Sequence, residues 1–198
     1  MNFLTIFIGY YKSQWYKFLE NVSKFLLGER NGKGKEYNYG IVIFDGEYLN
    51  GQRNGKGKEY YDNGELKFEG EYLKGKRNGK GNEYDEDGKL IFEGEYLNGE
   101  RNGKGKEYYN GRLAFEGEYL NGERNGKGKE YNYDGVLEFE GEYLNGKRNG
   151  KGKEYNYNGE LIYEGEYLSG KRWNGKGKEY LNGELLYEFN YSYGLKLF

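Results

Sequence analysis

Cysteine, histidine and proline are all missing from this 198-residue chain. Without the first two there is no disulfide framework, no thiolate or imidazole metal site, and no thiol or imidazole catalysis. Cysteine usage therefore says nothing about compartment. Apolar residues make up only 35% of the chain and mean hydropathy is −1.15, too little for a thick two-layer core. Long hydrophobic runs are absent as well: the apolar stretch from Phe3 to Tyr11 is far shorter than the roughly 20 residues of a spanning helix, and it lacks a charged leader and a small-residue cleavage site. Neither conventional export nor membrane spanning is expected, which points to a cytoplasmic protein. Charge of one sign is lacking too, since 31 basic and 33 acidic side chains leave a net −2. That balance gives no global attraction to nucleic acid.

What the chain has is glycine and aromatic rings, and 19% aromatics argues against disorder. They come as a repeat. The stretch Gly141-Glu142-Tyr143-Leu144-Asn145-Gly146-Lys147-Arg148-Asn149-Gly150-Lys151-Gly152-Lys153-Glu154-Tyr155 has near-copies starting at 46, 70, 94, 117 and 165, and a worn copy starting at 23, a period of 23 or 24 residues. A fixed period of this size marks small units that bury their apolar faces only by stacking. Each unit carries two alternating runs, such as Ile91-Phe92-Glu93-Gly94-Glu95-Tyr96-Leu97 and Lys104-Gly105-Lys106-Glu107-Tyr108, which predict strands. Asn-Gly and Asp-Gly pairs within and between units predict hairpin turns. The expected fold is all-β: an elongated, single-layer antiparallel meander or solenoid of β-hairpin repeats, about 65–70 Å long at two strands per unit. Three regions are expected: an apolar and amphipathic N-terminal cap over residues 1–22, seven repeats over 23–188, and a degenerate half-repeat cap over 189–198.

Charge and size predict a register. A four-residue turn from Asn98 to Arg101 sets Tyr96 opposite Gly103, Glu95 opposite Lys104, Gly94 opposite Gly105 and Glu93 opposite Lys106. Rings then lie over bare glycine backbone on the neighbouring strand. The residues expected to build this packing are Tyr48, Tyr72, Tyr96, Tyr119, Tyr143 and Tyr167 with Gly55, Gly57, Gly79, Gly81, Gly103 and Gly105. The opposite face, with Glu93, Glu95, Leu97, Lys104, Lys106 and Tyr108, is expected to be solvated and ion-paired.

At the N-terminus, Trp15, Phe18, Leu19, Val22, Phe25 and Leu26 recur at helical spacing, predicting a short amphipathic helix. It serves either as a cap or as a membrane-surface anchor. Alternatively, Phe7-Ile8-Gly9-Tyr10-Tyr11 is a decayed half-repeat and hence a strand.

No catalytic residue is assigned. The Gly-Lys-Gly-Lys runs lack the strand, Gly-Lys-Ser/Thr and helix of a phosphate-binding loop. Carboxylate pairs such as Glu93 and Glu107 recur identically in every unit, whereas a catalytic pair needs one special environment. No metal or cofactor is expected. One candidate binding feature is a basic rim along one edge, formed by Arg53, Arg77, Arg101, Arg124, Arg148 and Arg172 with Lys56, Lys80, Lys104, Lys127, Lys151 and Lys176. Such a rim suits anionic headgroups or acidic protein surfaces; the plainer alternative is that these charges solubilise the edge and pair with nearby Glu residues. A carbohydrate- or choline-binding aromatic array is a third class.

The units Tyr163-Glu164-Gly165-Glu166-Tyr167, then Gly170-Lys171-Arg172 and Gly175-Lys176-Gly177, resemble MORN (membrane occupation and recognition nexus) repeats. The resemblance covers residues 23–194, with Tyr in place of the family's usual Trp in the Gly-Glu-Tyr triplet. It implies a single-layer sheet of hairpins. It also implies a non-enzymatic scaffold, cytoplasmic and peripheral to a membrane or the cytoskeleton, that binds a protein partner, dimerises as a rod, or binds anionic phospholipid peripherally. Linkers such as residues 61–70 also resemble a related bacterial repeat.

Overall fold

The computed structural model describes residues 30–197 as a single open sheet of fifteen antiparallel strands, each paired with its neighbours in sequence. They are β1 (Gly32–Asn38), β2 (Ile41–Leu49), β3 (Gln52–Tyr60), β4 (Leu66–Leu73), β5 (Lys76–Tyr84), β6 (Leu90–Leu97), β7 (Glu100–Tyr109) and β8 (Arg112–Leu120). There follow β9 (Glu123–Tyr131), β10 (Leu137–Leu144), β11 (Lys147–Tyr155), β12 (Leu161–Leu168), β13 (Lys171–Leu181), β14 (Glu184–Ser192) and β15 (Leu195–Leu197). The all-β meander read from the repeat is the observed architecture. The expected N-terminal helix or strand lies outside the described residues.

The register is half as expected. Gly94 does face Gly105 and Glu93 faces Lys106, but Tyr96 faces Arg101, not Gly103. The turn is two residues long, because Asn98 and Gly99 both take positive φ (53° and 98°), the geometry whose twist matches a tight hairpin. The strand then has two residues too many, absorbed as a bulge where Gly103 sits at φ 91°. Gly103 pairs instead with Tyr119 on the following strand.

Turns are tied to one another along the array. The Gly99 amide donates to the Arg77 carbonyl at 2.8 Å, and the same bond recurs from Gly51 to Gly170. The two period lengths come from the other edge. Five residues (85–89) link β5 to β6, whereas Asn110-Gly111 alone links β7 to β8.

The core is one row of rings on one face. Phe44, Phe68, Phe92, Phe115, Phe139 and Tyr163 are fully buried, and Tyr48, Tyr72, Tyr96, Tyr119, Tyr143 and Tyr167 nearly so. Phe92 meets Tyr96 and Tyr119 edge-on, at 5.6 and 5.2 Å between centroids, and this T-shaped pattern repeats through the array.

The last hairpin departs from the rest. Trp173 is a single extra residue, and Gly165 faces Gly175, the first glycine of its Gly-Lys-Gly, not the second. Tyr163 stands where other units have Phe, and its hydroxyl donates to the carbonyls of Glu166 and Asn174 at 2.8 and 3.1 Å. Phe189 fills the space over Gly177.

Candidate functional site

Two surfaces follow from this packing. On the ring face, the Phe92 ring lies on the facing glycines: a Cβ on Gly94 would be 2.7 Å from its Cζ, and one on Gly105 would be 2.7 Å from its Cε2. The ring resting on glycine is therefore Phe, with the Tyr rings standing edge-on beside it. Gly57, Gly81 and Gly105 serve as expected, but the space above Gly55, Gly79 and Gly103 holds the carboxylates of Glu47, Glu71 and Glu95, not a ring.

Arg101 closes the other side of Phe92, its guanidinium 4.0 Å from the ring centre. It pairs with Glu83 at 2.5 Å and Glu107 at 3.6 Å; Arg124 then pairs with Glu107 at 2.5 Å and Glu130 at 2.9 Å. The pattern continues without a break from Glu36 to Arg172 as one ladder of alternating arginine and glutamate. Tyr48, Tyr72, Tyr119 and Tyr167 donate their hydroxyls to its glutamates. Burial pushes the carboxyls of Glu36, Glu59, Glu107 and Glu154 up, but the arginine and tyrosine hydrogen bonds outweigh it and hold them below the usual range. Carboxyls lowered on folding add stability above the unfolded value of about 4.3, and that stability is lost as pH falls through their folded values. A thermal melt followed by circular dichroism is expected to show a lower midpoint at about pH 3 than at about pH 7; equal midpoints would mean the ladder contributes nothing.

On the reverse face a groove of about 1070 Å³ runs across the strands. Its floor is the backs of the glycine pairs from Gly81 to Gly165. One wall carries Glu95, Lys104, Glu118, Lys127, Glu142 and Lys151, the other Glu93, Lys106, Glu116, Lys129, Glu140 and Lys153. A shorter stretch of about 570 Å³ extends it towards Lys33.

The sequence profile of the MORN repeat matches residues 44–65, 68–89, 92–111, 115–136 and 139–160, more than half of the chain. The chain belongs to the MORN-repeat family. Comparison with curated proteins returned no match. The matched MORN units are the ones that share the regular register, and the match ends before the unit shifted by Trp173.

Set on this MORN array, the two halves of the expected basic rim come apart. Arg53, Arg77, Arg101, Arg124, Arg148 and Arg172 stack over Phe44, Phe68, Phe92, Phe115, Phe139 and Tyr163 on the ring face, their charge taken by glutamates. Lys56, Lys80, Lys104, Lys127 and Lys151 line the groove on the other face, and Lys176 is displaced from that line by the Trp173 shift, facing Glu164. Alternation along the strand and the bulge send the two sets to opposite sides. Glu93 and Glu107 likewise occupy opposite faces. The ladder itself was missed from sequence, although an Arg six residues before a Glu in unit after unit (Arg77 and Glu83, Arg124 and Glu130) was there to be read.

Proposed function

We propose that this MORN array is a non-enzymatic scaffold that binds a protein partner along the glycine-floored groove. The observation that carries this reading is the groove's continuity: the same floor and the same two charged walls recur over successive repeats, with no position set apart for chemistry. A long surface of this kind suits an elongated macromolecule. The other reading, peripheral binding of anionic phospholipid, loses the arginines to the ladder and keeps only lysines interleaved with glutamates. Homodimerisation is a further route, favoured by exposed Leu181, Leu186 and Leu195 beside the short edge strand β15. Among the described residues no helix is long and apolar enough to cross a membrane.

The test runs affinity capture from native lysate beside flotation with phosphoinositide vesicles, using wild type and a Lys80→Glu/Lys104→Glu/Lys127→Glu variant. A discrete set of captured proteins, lost in the variant and without flotation of wild type, is expected. Salt-sensitive flotation lost in the same variant, with no protein captured, would replace the scaffold with a lipid binder.

A further inference from the structure

We propose that the groove reads an extended acidic peptide in the polyproline II conformation, with Asp or Glu at every third residue. The proposal rests on the scaffold reading above and names the chemistry of its partner.

The two walls differ in how their charges are spent. On one, four of the five lysines pair with the neighbouring strand, Lys35 with Asp45 at 3.1 Å, Lys58 with Glu69 at 3.2 Å, Lys106 with Glu93 at 3.1 Å and Lys153 with Glu164 at 3.7 Å, while Lys129 forms no ion pair among the described residues. On the other, Lys33, Lys56, Lys80, Lys104, Lys127 and Lys151 are exposed and form no ion pair among the described residues. Yet each lies opposite an acid on the next strand, as Lys80 does Glu95 and Lys104 does Glu118.

The bulge explains the difference. The carboxylates of Glu47, Glu95 and Glu142 turn into the space above the bulge glycine. There they accept from the backbone amides of Lys56, Lys104 and Lys151 at 3.4, 3.2 and 2.9 Å. Held by main chain, these three carboxylates leave the ammonium groups of the facing Lys33, Lys80 and Lys127 available. Opposite Lys56, Lys104 and Lys151, the carboxylates of Glu71 and Glu118 fill the space over Gly79 and Gly126, and that of Glu166 accepts from the Asn174 side chain at 3.0 Å.

The result is a row of six cations, one every second strand, about 9.4–9.8 Å apart. A ligand must match that spacing. A polyproline II chain rises about 3.1 Å per residue with three residues per turn, so equivalent side chains recur every ~9.3 Å. The mismatch is about 0.3 Å per repeat, or roughly 1.5 Å over five intervals, within reach of a flexible lysine. An α-helix offers ~10.5 Å at seven residues and drifts by about 4.5 Å over the same span, which brings its acids opposite the glutamates. A β-strand repeats its face every ~6.7 Å and falls out of step at once.

The glutamates between the lysines sharpen this choice. Acids at any other period meet a carboxylate about as often as an ammonium, and like charges brought together disfavour the wrong ligand. Density of negative charge is therefore not enough. Because Trp173 displaces Lys176, the row ends at Lys151, so a ligand of about sixteen residues fills it.

The test measures fluorescence anisotropy of the full chain with three labelled peptides. Each carries six glutamates among prolines, spaced at every second, third or fourth residue. The third-residue peptide is expected to bind about tenfold or more tighter than the others, roughly 1.4 kcal/mol. Its affinity should drop by a similar factor in Lys80→Ala/Lys104→Ala/Lys127→Ala and stay unchanged in Lys58→Ala/Lys106→Ala/Lys153→Ala, both variants first shown by circular dichroism to fold. Equal binding of all three peptides, or equal loss in both variants, overturns the spacing rule and leaves the scaffold standing. The same holds if no peptide binds while captured proteins still depend on Lys80, Lys104 and Lys127. Phosphatidate vesicles bound in place of any peptide would overturn both.

Discussion

Gly94→Ala and Gly105→Ala, single methyl groups added to two facing glycines, are expected to destabilise the array for different reasons, and a second substitution separates them. A Cβ on Gly94 would lie 2.7 Å from the Gly105 Cα, 2.7 Å from the Lys104 carbonyl oxygen and 2.7 Å from the Phe92 Cζ. Two of those neighbours are backbone and cannot retreat without parting the strands. The three atoms nearest a Cβ on Gly105 all belong to rings, two to Phe92 and one to Tyr119, the latter at 3.2 Å. Overpacking of this kind costs about 1–3 kcal/mol, and Gly94→Ala belongs at the top of that range. Phe92→Ala alone, at a fully buried ring, should cost ~3–5 kcal/mol. In the background of Phe92→Ala, the further cost of Gly105→Ala should nearly vanish while that of Gly94→Ala persists. A coupling of about 1–3 kcal/mol for the first pair and much less for the second, measured by denaturant unfolding, is the expected outcome. Similar coupling in both cycles would mean the strands yield and the account of the clash is wrong. Because the array is quasi-one-dimensional, a defect at its centre should also split one transition into two.

Arg101→Met should cost about 2–3 kcal/mol, and the reason for the figure is the ladder. Removing one partner of a buried ion pair commonly costs ~3–5 kcal/mol, because a charge is left alone out of water. Here Arg77 still holds Glu83 at 2.6 Å and Arg124 still holds Glu107 at 2.5 Å, so neither carboxylate is abandoned. What goes is the cover over Phe92 and half of each carboxylate's pairing. Adding Arg77→Met, which strips Glu83 of both arginines, should cost clearly more than the sum of the two single changes. Lys106→Ala, on a side chain nearly half exposed, should change stability by less than ~0.5 kcal/mol. Strict additivity of the arginine pair would show that the charges act independently and that the ladder is only geometric.

The period and the alternation of the sequence carry the architecture, since glycine and aromatic residues recur at positions that only stacked hairpins can use. The turn was harder to read. Asn98-Gly99 and Asn98 to Arg101 both make plausible hairpin ends, and the choice depends on whether a strand can lose two residues into a bulge. Gly103 allows it through a positive φ, a freedom invisible in a pattern of polar and apolar letters. That bulge decides where the charges go. A four-residue turn would hold Arg101 in the loop on the same edge as Lys104, whereas the two-residue turn places Arg101 in the strand, where alternation aims it at Phe92 and leaves Lys104 in the groove. The candidate rim was thus legible as a list of basic residues but not as a surface. Glu107 was hidden for the same reason: one partner, Arg101, lies six residues back across the bulge on the same strand, and the other, Arg124, lies two strands away on β9.

The shifted hairpin at Trp173 has a bearing on how such a chain lengthens. The hairpins ahead of it share one register, and the shifted one is closed by Phe189 and by the amide of Gly194 bonding to the Trp173 carbonyl at 2.9 Å. Copying one 24-residue segment from the regular hairpins ahead of it should insert a new hairpin without disturbing the shifted one. Each duplication adds a lysine to the row and three residues to the ligand it accommodates. Descendants differing in copy number would then measure different lengths of partner with an unchanged grammar of contacts.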